Sequence, residues 1–393
     1  MRAALISIVG QPQDGEGKGG ARLAGKSLAQ RQLAFALAAG AEQIVLQGDD
    51  TSQDAIEVRQ VAERVGAKVI AISDGHGLLG VVRAADHLLV IAPGLLPEAP
   101  SALEMLGKGS SLLVLPASVG IPAGFERIDL ERAWAGVLVI QGGLVERLAE
   151  LPPDIEPSSA LLRIALQAQV AERRLPETVL TDGSWVLLKA PADLAVAEGA
   201  WLKRNLPRGP GNRPTRWIAA RALRALSTKL LEKSRAAGMI AAGSAVALLG
   251  GIGAAFFGWS TAGFLIVALG ALGKELFSGL ARLTIAPFAR AGRMRTLAVA
   301  LGILIDLALA SVAVLAIGQD WLHSLFPPLV LVGLLRALRP ERRPGPSALL
   351  GDRMLLAFVL SVSSAFGFTE VVVMALALGV IAMETAQTLT RRG

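Results

Sequence analysis

The sequence predicts two fold classes in one chain: a doubly wound α/β domain followed by an all-α bundle of six transmembrane helices. Of the 393 residues, 53% are hydrophobic and only 18% charged, too apolar for an ordinary soluble protein of this length. The average hides a division. Charges occur throughout up to about Leu206, whereas from about Ala236 to Leu389 the apolar blocks approach membrane length. In the first part, short runs rich in Val, Ile and Leu alternate with stretches of helical periodicity, the order of a parallel sheet covered by helices. The expected division is 1–204 as a cytoplasmic α/β domain, 205–235 as a basic linker and interfacial helix, and 236–393 as the membrane domain.

Composition narrows the function classes. The net charge of +7 does not read as a nucleic-acid footprint, because the arginines gather at the ends of apolar blocks and are not interleaved with aromatics. There is no cysteine, which excludes disulfides and thiolate metal sites, and His76, His87 and His323 are too scattered for a histidine zinc site. The opening Met1-Arg2-Ala3-Ala4-Leu5-Ile6-Ser7-Ile8-Val9-Gly10 has one basic residue and an apolar run but no convincing cleavage site, and reads as a first strand.

Taken in order, residues 3–9, 43–47, 68–73, 87–91, 111–115 and 136–140 are expected as strands, and 28–38, 55–65 and 78–85 as helices. After the first strand, Gly10 to Leu23 forms a glycine-rich stretch. Between a strand and a helix, Gly15 and Gly17 can present backbone N–H groups to phosphate, with Lys18 and Arg22 adding positive charge. It is neither a Walker loop nor a clean dinucleotide fingerprint, and a solvated surface loop is an equal alternative.

The segment Ala21-Arg22-Leu23-Ala24-Gly25-Lys26-Ser27-Leu28, followed by Ala38-Ala39-Gly40-Ala41-Glu42-Gln43-Ile44-Val45-Leu46, resembles the start of the sugar-phosphate nucleotidyltransferases. The stretch Trp185-Val186-Leu187-Leu188-Lys189-Ala190-Pro191-Ala192-Asp193-Leu194 is similar to the strand and helix that close that domain. The resemblance implies a nucleotidyltransferase-like fold over about the first 200 residues, with Lys18 and Arg22 at the nucleotide phosphates. It also implies two aspartates holding magnesium. Here the first place reads His87-Leu88-Leu89-Val90-Ile91-Ala92-Pro93-Gly94, and the acidic positions of the second are Leu187 and Lys189. A lysine cannot ligate the ion, although Lys189 can substitute for its charge.

Residues 201–216 are rich in Pro, Gly and Arg and serve as a joint. Residues 217–235 then place Ile218, Ala222, Leu226 and Leu230 on one side and Arg221, Arg224, Lys229 and Lys233 toward the other, a basic amphipathic helix suited to an anionic leaflet. Six membrane segments follow at 236–257, 259–280, 296–317, 321–338, 354–368 and 369–387. Arg282, Arg290, Arg293 and Arg295 lie in one connection; Arg336, Arg339, Arg342, Arg343 and Arg353 cluster in another; Arg391 and Arg392 end the chain. The turns at Gly258, Gly318 and Gly367 carry none. This alternation predicts cytoplasmic N- and C-termini in a bacterial-type inner membrane.

That domain order resembles the inositol-1-phosphate cytidylyltransferases fused to a CDP-alcohol phosphotransferase of the CDP-alcohol phosphatidyltransferase family, which serve phospholipid and polar head-group synthesis. The resemblance implies four carboxylates at the end of the second helix and on the third, holding divalent metal on the CDP-alcohol pyrophosphate. In this chain Ala281-Arg282 keeps its place, the aspartates become Lys274 and Phe277, the glycine becomes Ser278, and no downstream carboxylate occurs before Asp306. Lys274, Glu275, Ser278, Arg282 and Asp306 are therefore the expected remnant of a membrane site, and a Lys274–Asp306 pair is expected between its helices.

No catalytic residue or metal ligand is assigned. The expectation is a catalytically degenerate membrane protein with a binding, regulatory or assembly role, whose partners are membrane lipid, a cytidine nucleotide or CDP-alcohol, and a second copy or a related enzyme. The alternative is a divergent CDP-alcohol phosphotransferase making a phosphodiester, which would require Mg2+. A carrier is disfavoured by the fused soluble domain and the missing inverted repeat.

Overall fold

The computed structural model describes residues 1–9, 22–107, 109–152, 155–206, 213–231, 236–284, 292–318, 321–338 and 347–390. They fall into two compact units that part between Arg204 and Asn205.

The first unit is a seven-stranded sheet with helices packed on it. Its strands are β1 (Arg2–Ser7), β2 (Gln43–Gln47), β3 (Lys68–Ile72), β4 (His87–Ile91), β5 (Ser111–Pro116), β6 (Arg132–Gln141) and β7 (Glu172–Arg174). They lie in the order β3-β2-β1-β4-β6-β5-β7. The first four run parallel, with Leu5 opposite Val45 on one side and Val90 on the other. This is the doubly wound arrangement, and the order reverses between β1 and β4, so the crevice favoured for ligands lies at their carboxyl ends. The second half departs from a purely parallel sheet, because β6 pairs antiparallel to both β4 and β5.

Strands β1, β2 and β4 are buried almost throughout, as expected where helices cover both faces. One covering helix, α1 (Leu28–Ala38), starts from a capping box in which the Ser27 side chain accepts from Gln30 N–H and the Gln30 side chain accepts from Ser27 N–H. Its Phe35 meets Trp185 edge to face at 5.7 Å, and both are fully buried. The helix α2 (Gln53–Arg64) is capped by Ser52.

The helix expected at 78–85 is absent. A short 3-10 turn occupies Gly75–Leu78, and Gly80 then takes φ +78°, a left-handed conformation that ends any right-handed helix at that point. The strand β7 was not expected either: its Glu-Arg-Arg sequence is exposed and carries no apolar signal.

Among the described residues, the second unit holds seven helices of 13 residues or more: α3 (Pro214–Leu231), α4 (Ala236–Phe256), α5 (Ser260–Thr284), α6 (Gly292–Ile317), α7 (Trp321–Leu338), α8 (Arg353–Ala365) and α9 (Thr369–Thr390). All six from α4 to α9 contribute to one apolar core, for instance through Leu248, Phe264, Ile305, Leu335, Leu360 and Val373. Three stretches, Ala236–Phe256, Ser260–Leu283 and Met294–Ile317, are long and apolar enough to cross a membrane. The other apolar stretches found among the described residues, His323–Ala337, Arg353–Ala365 and Thr369–Met383, are shorter, so three of the six expected spans meet that measure there. The 13 residues of α8 rise only about 20 Å against a hydrocarbon core of about 30 Å, and α7 contains Pro327 and Pro328. On the outside of the bundle, Met239, Val246, Leu249, Phe256, Leu265 and Leu269 are exposed, a surface suited to lipid.

Helices α4 and α5 meet across small residues. A Cβ on Gly263 would lie 2.7 Å from the Gly251 carbonyl oxygen, and the Ser244 hydroxyl donates to the Gly270 carbonyl at 2.6 Å. The same close approach brings α3 onto α5, where Leu223 sits over Gly279.

Candidate functional site

The expected residues of the first unit do not converge. Gly15, Gly17 and Lys18 lie outside the described residues. Arg22 is engaged by α2, bonding Glu57 at 2.8 Å and approaching Asp54 at 3.9 Å. Lys189 is exposed, and its backbone N–H donates to Asp193, which also accepts from Ala190 N–H. This carboxylate bridge caps the first turn of helix Pro191–Asn205 and holds Asp193 below the usual carboxylate range, chiefly through those two backbone donors.

What does converge in that unit is a cluster the sequence did not announce. Glu98 is buried and bonded by the Arg31 and Arg204 guanidiniums and by Trp201 Nε1–H at 3.2 Å. Arg31 lies 4.9 Å over the Trp201 ring and donates also to the Leu23 carbonyl at 2.6 Å. Lys26 stands beside it. Burial pushes its ammonium down to about 8, helped by Arg31 and opposed by Glu98. The cluster ties the helix Pro191–Asn205 to α1, and its acceptor is saturated.

In the second unit, α3, α5, α6, α7 and the start of α8 border an open cavity of about 320 Å³. Arg213, Arg216, Lys274, Arg336 and Arg353 line it, against only three carboxylates, Glu275, Asp306 and Asp352. Three of the five expected remnant residues, Lys274, Glu275 and Asp306, therefore do come together there. Arg282 is exposed and bonds the Ser278 carbonyl one turn back. The Ser278 hydroxyl is buried and has no hydrogen-bond partner among the described residues. Phe277, at a place where the resemblance implies an aspartate, is fully buried core.

Each carboxylate is held differently. Asp306, 8% exposed, accepts from Arg353 Nε at 2.9 Å and from Arg336 Nη1 at 3.1 Å. The expected Lys274–Asp306 pair is thus replaced. Guanidiniums from α7 and α8 take both aspartate oxygens with planar, multiple donors, which an ammonium cannot match. Lys274 instead bonds its own neighbour Glu275 at 2.7 Å. Asp352 accepts from Thr215 N–H at 3.0 Å and from the Thr215 hydroxyl at the start of α3, and from Leu355 N–H at 3.3 Å, so one side chain caps two helices. Glu275 has the loosest second partner, with Arg216 Nε 3.8 Å away.

The donors do not suit a divalent cation. Both Asp306 oxygens face guanidiniums, and Glu275 lies between a lysine and an arginine, so no two carboxylates are open on a shared point. Among the described residues no group of three or more His, Cys, Asp or Glu side chains comes together. With five cations against three carboxylates the lining keeps an excess of positive charge, and the chemistry that this supports is capture of an anion, phosphate above all. Arg213, Arg216, Arg336, Asp352 and Arg353 were outside the expected site. The signal for them was the arginine clustering at segment ends, which reads equally as topology.

No family model matches the chain, and no curated protein matches it. Among solved structures it is similar to the inositol-1-phosphate CTP transferase from T. maritima, with 17% identity and a TM-score of 0.38 over 51% of this chain and 94% of that one. It is also similar to a UDP-glucose pyrophosphorylase complexed with UDP-glucose, with 13% identity and a TM-score of 0.37 over 52% of this chain and 98% of that one. Both likenesses extend over about half of the chain, and at this level of similarity neither speaks to its activity.

Proposed function

We propose that this is a membrane protein with the architecture of a head-group synthesis enzyme, a cytidylyltransferase joined to a CDP-alcohol phosphotransferase, in which binding has replaced catalysis. Its nucleotidyltransferase-like unit takes a cytidine nucleotide or CDP-alcohol, and its membrane unit takes a phosphate-bearing ligand in the cationic cavity. It serves as a regulatory or assembly subunit in envelope lipid synthesis, paired with a second copy or a related active enzyme. The arginine distribution favours the bacterial inner membrane with both termini in the cytoplasm.

The observation that carries this reading is the engagement of Asp306 by Arg336 and Arg353. A carboxylate with both oxygens already accepting from guanidiniums is a poor metal ligand and a poor general base, since neither oxygen is left open to an ion or a substrate proton. Arg213, Arg216 and Lys274, the lining cations other than the two that hold Asp306, remain to hold a phosphate electrostatically.

The test is turnover. Full-length protein incubated with CDP-inositol, magnesium and a lipid or inositol-phosphate acceptor is expected to release no CMP above the protein-free rate. Sustained magnesium-dependent release would instead establish a divergent phosphotransferase.

A further inference from the structure

Among the described residues, the two lining cations nearest Glu275 are held by nothing stronger than Glu275 itself. Lys274 has that one hydrogen bond, and Arg216 Nε is buried without a hydrogen-bond acceptor although the carboxylate lies 3.8 Å away. A buried donor left unsatisfied costs on the order of 1–3 kcal/mol, so such donors mark places where an acceptor belongs. Glu275 is 20% exposed, Lys274 26% and Arg216 39%, so both cations can swing toward the cavity without crossing a packed core. Asp306 and Asp352, 8% and 6% exposed, are closed by short bonds from two or three donors each and have no such freedom.

We propose that Glu275 is a built-in competitor for the ligand of this cavity, a carboxylate that occupies the cations a phosphate group would take. Resting on the phosphate-binding reading above, this adds how the site is regulated. On binding, phosphate oxygens replace the Glu275 carboxylate at Arg216 and Lys274, and no divalent ion takes part. Phosphate carries more charge and more acceptor oxygens than a single carboxylate, so it can satisfy Arg216 Nε and Lys274 together. Glu275 then turns to water at the exposed edge, and its repulsion of the bound anion sets the affinity. Weakly charged phosphodiesters are therefore rejected in favour of phosphomonoesters, which outcompete the carboxylate.

The experiment is a titration of detergent-purified full-length protein in EDTA, with inorganic phosphate in one arm and short-chain phosphatidic acid in the other. Unfolding temperature is read alongside affinity. Removing the competing charge in Glu275→Gln is expected to tighten phosphate binding on the order of tenfold, as charges a few ångströms apart near a surface interact. The same variant should gain more thermal shift from the ligand than the wild type does. Arg216→Gln and Lys274→Gln should each weaken binding by a similar factor. Tightening in both arms marks a site for the phosphate group itself; tightening with phosphatidic acid alone marks a lipid site, and with inorganic phosphate alone a soluble ligand.

If the wild type binds and Glu275→Gln binds no more tightly, competition is overturned while the phosphate-binding reading stands. If neither protein binds in either arm, although Glu275→Gln keeps its unfolding transition, both are overturned.

Discussion

Glu98 in the first unit and Glu275 in the second are built from the same parts, a carboxylate between two cations, yet they do different work. Glu98 is 3% exposed and saturated by two guanidiniums and an indole N–H. Glu275 is 20% exposed, tightly bonded only to Lys274, and borders a cavity. What separates a structural lock from a ligand site is therefore not the residue types but whether the donors are used up and whether space adjoins them. Asp306 lies between the two, closed by guanidiniums yet facing the cavity.

The comparison breaks most visibly at Glu98. Glu98→Ala leaves the buried Arg31 guanidinium uncompensated, and a broken buried pair costs about 3–5 kcal/mol. Denaturant unfolding of the first unit's Trp185 and Trp201 fluorescence should show that loss. Asp306→Asn comes next. Its two guanidinium partners are 47% and 17% exposed, so water recovers part of the loss, and about 1–3 kcal/mol is expected as a lower detergent-unfolding temperature. A loss equal to that at Glu98 would mean that the cavity is closed rather than a site.

Lys26 sharpens the comparison through pH. Its ammonium titrates near 8 in the folded chain, below its ordinary value of 10.5. Between those two values the unfolded chain binds a proton that the folded chain does not, so this group's contribution to stability rises with pH across that window. Lys26→Met should flatten the rise and raise stability at pH 7 by on the order of 1–2 kcal/mol, read from unfolding curves at pH 7 and pH 10. The smallest effect belongs to Arg22→Ala. Its partly exposed pair with Glu57 is worth at most about 1 kcal/mol, and a larger change would show that Arg22 does more than hold α2.

The sequence made the regular elements legible wherever an apolar period was strong. The bounds of β2, β4 and α1 coincide with the expected ones because apolar runs and apolar residues at helical spacing mark them, and the Ser27–Gln30 capping box fixes the start of α1. It was silent on β7, whose charged residues pair only through the backbone, and misleading at 78–85, where apolar spacing suggested a helix that Gly80 stops. In the membrane unit, the cluster around Lys274 was foreseeable from the cost of charge beside an apolar run. Its partners were not. Arg216 comes from 58 residues earlier and Asp306 is held by arginines 30 and 47 residues later, separations that only the packing of α3 on α5 and of α6 with α7 and α8 brings together.

The most direct test of metal-independent anion binding at the cavity is the unfolding temperature of the purified full-length protein with inorganic phosphate and with short-chain phosphatidic acid, each in EDTA and in magnesium. A ligand shift of the same size in EDTA and in magnesium is predicted, because arginine and lysine supply the positive charge at the cavity. A shift that appears only with magnesium would contradict it, since a metal site would then survive among carboxylates assigned here to arginine and lysine.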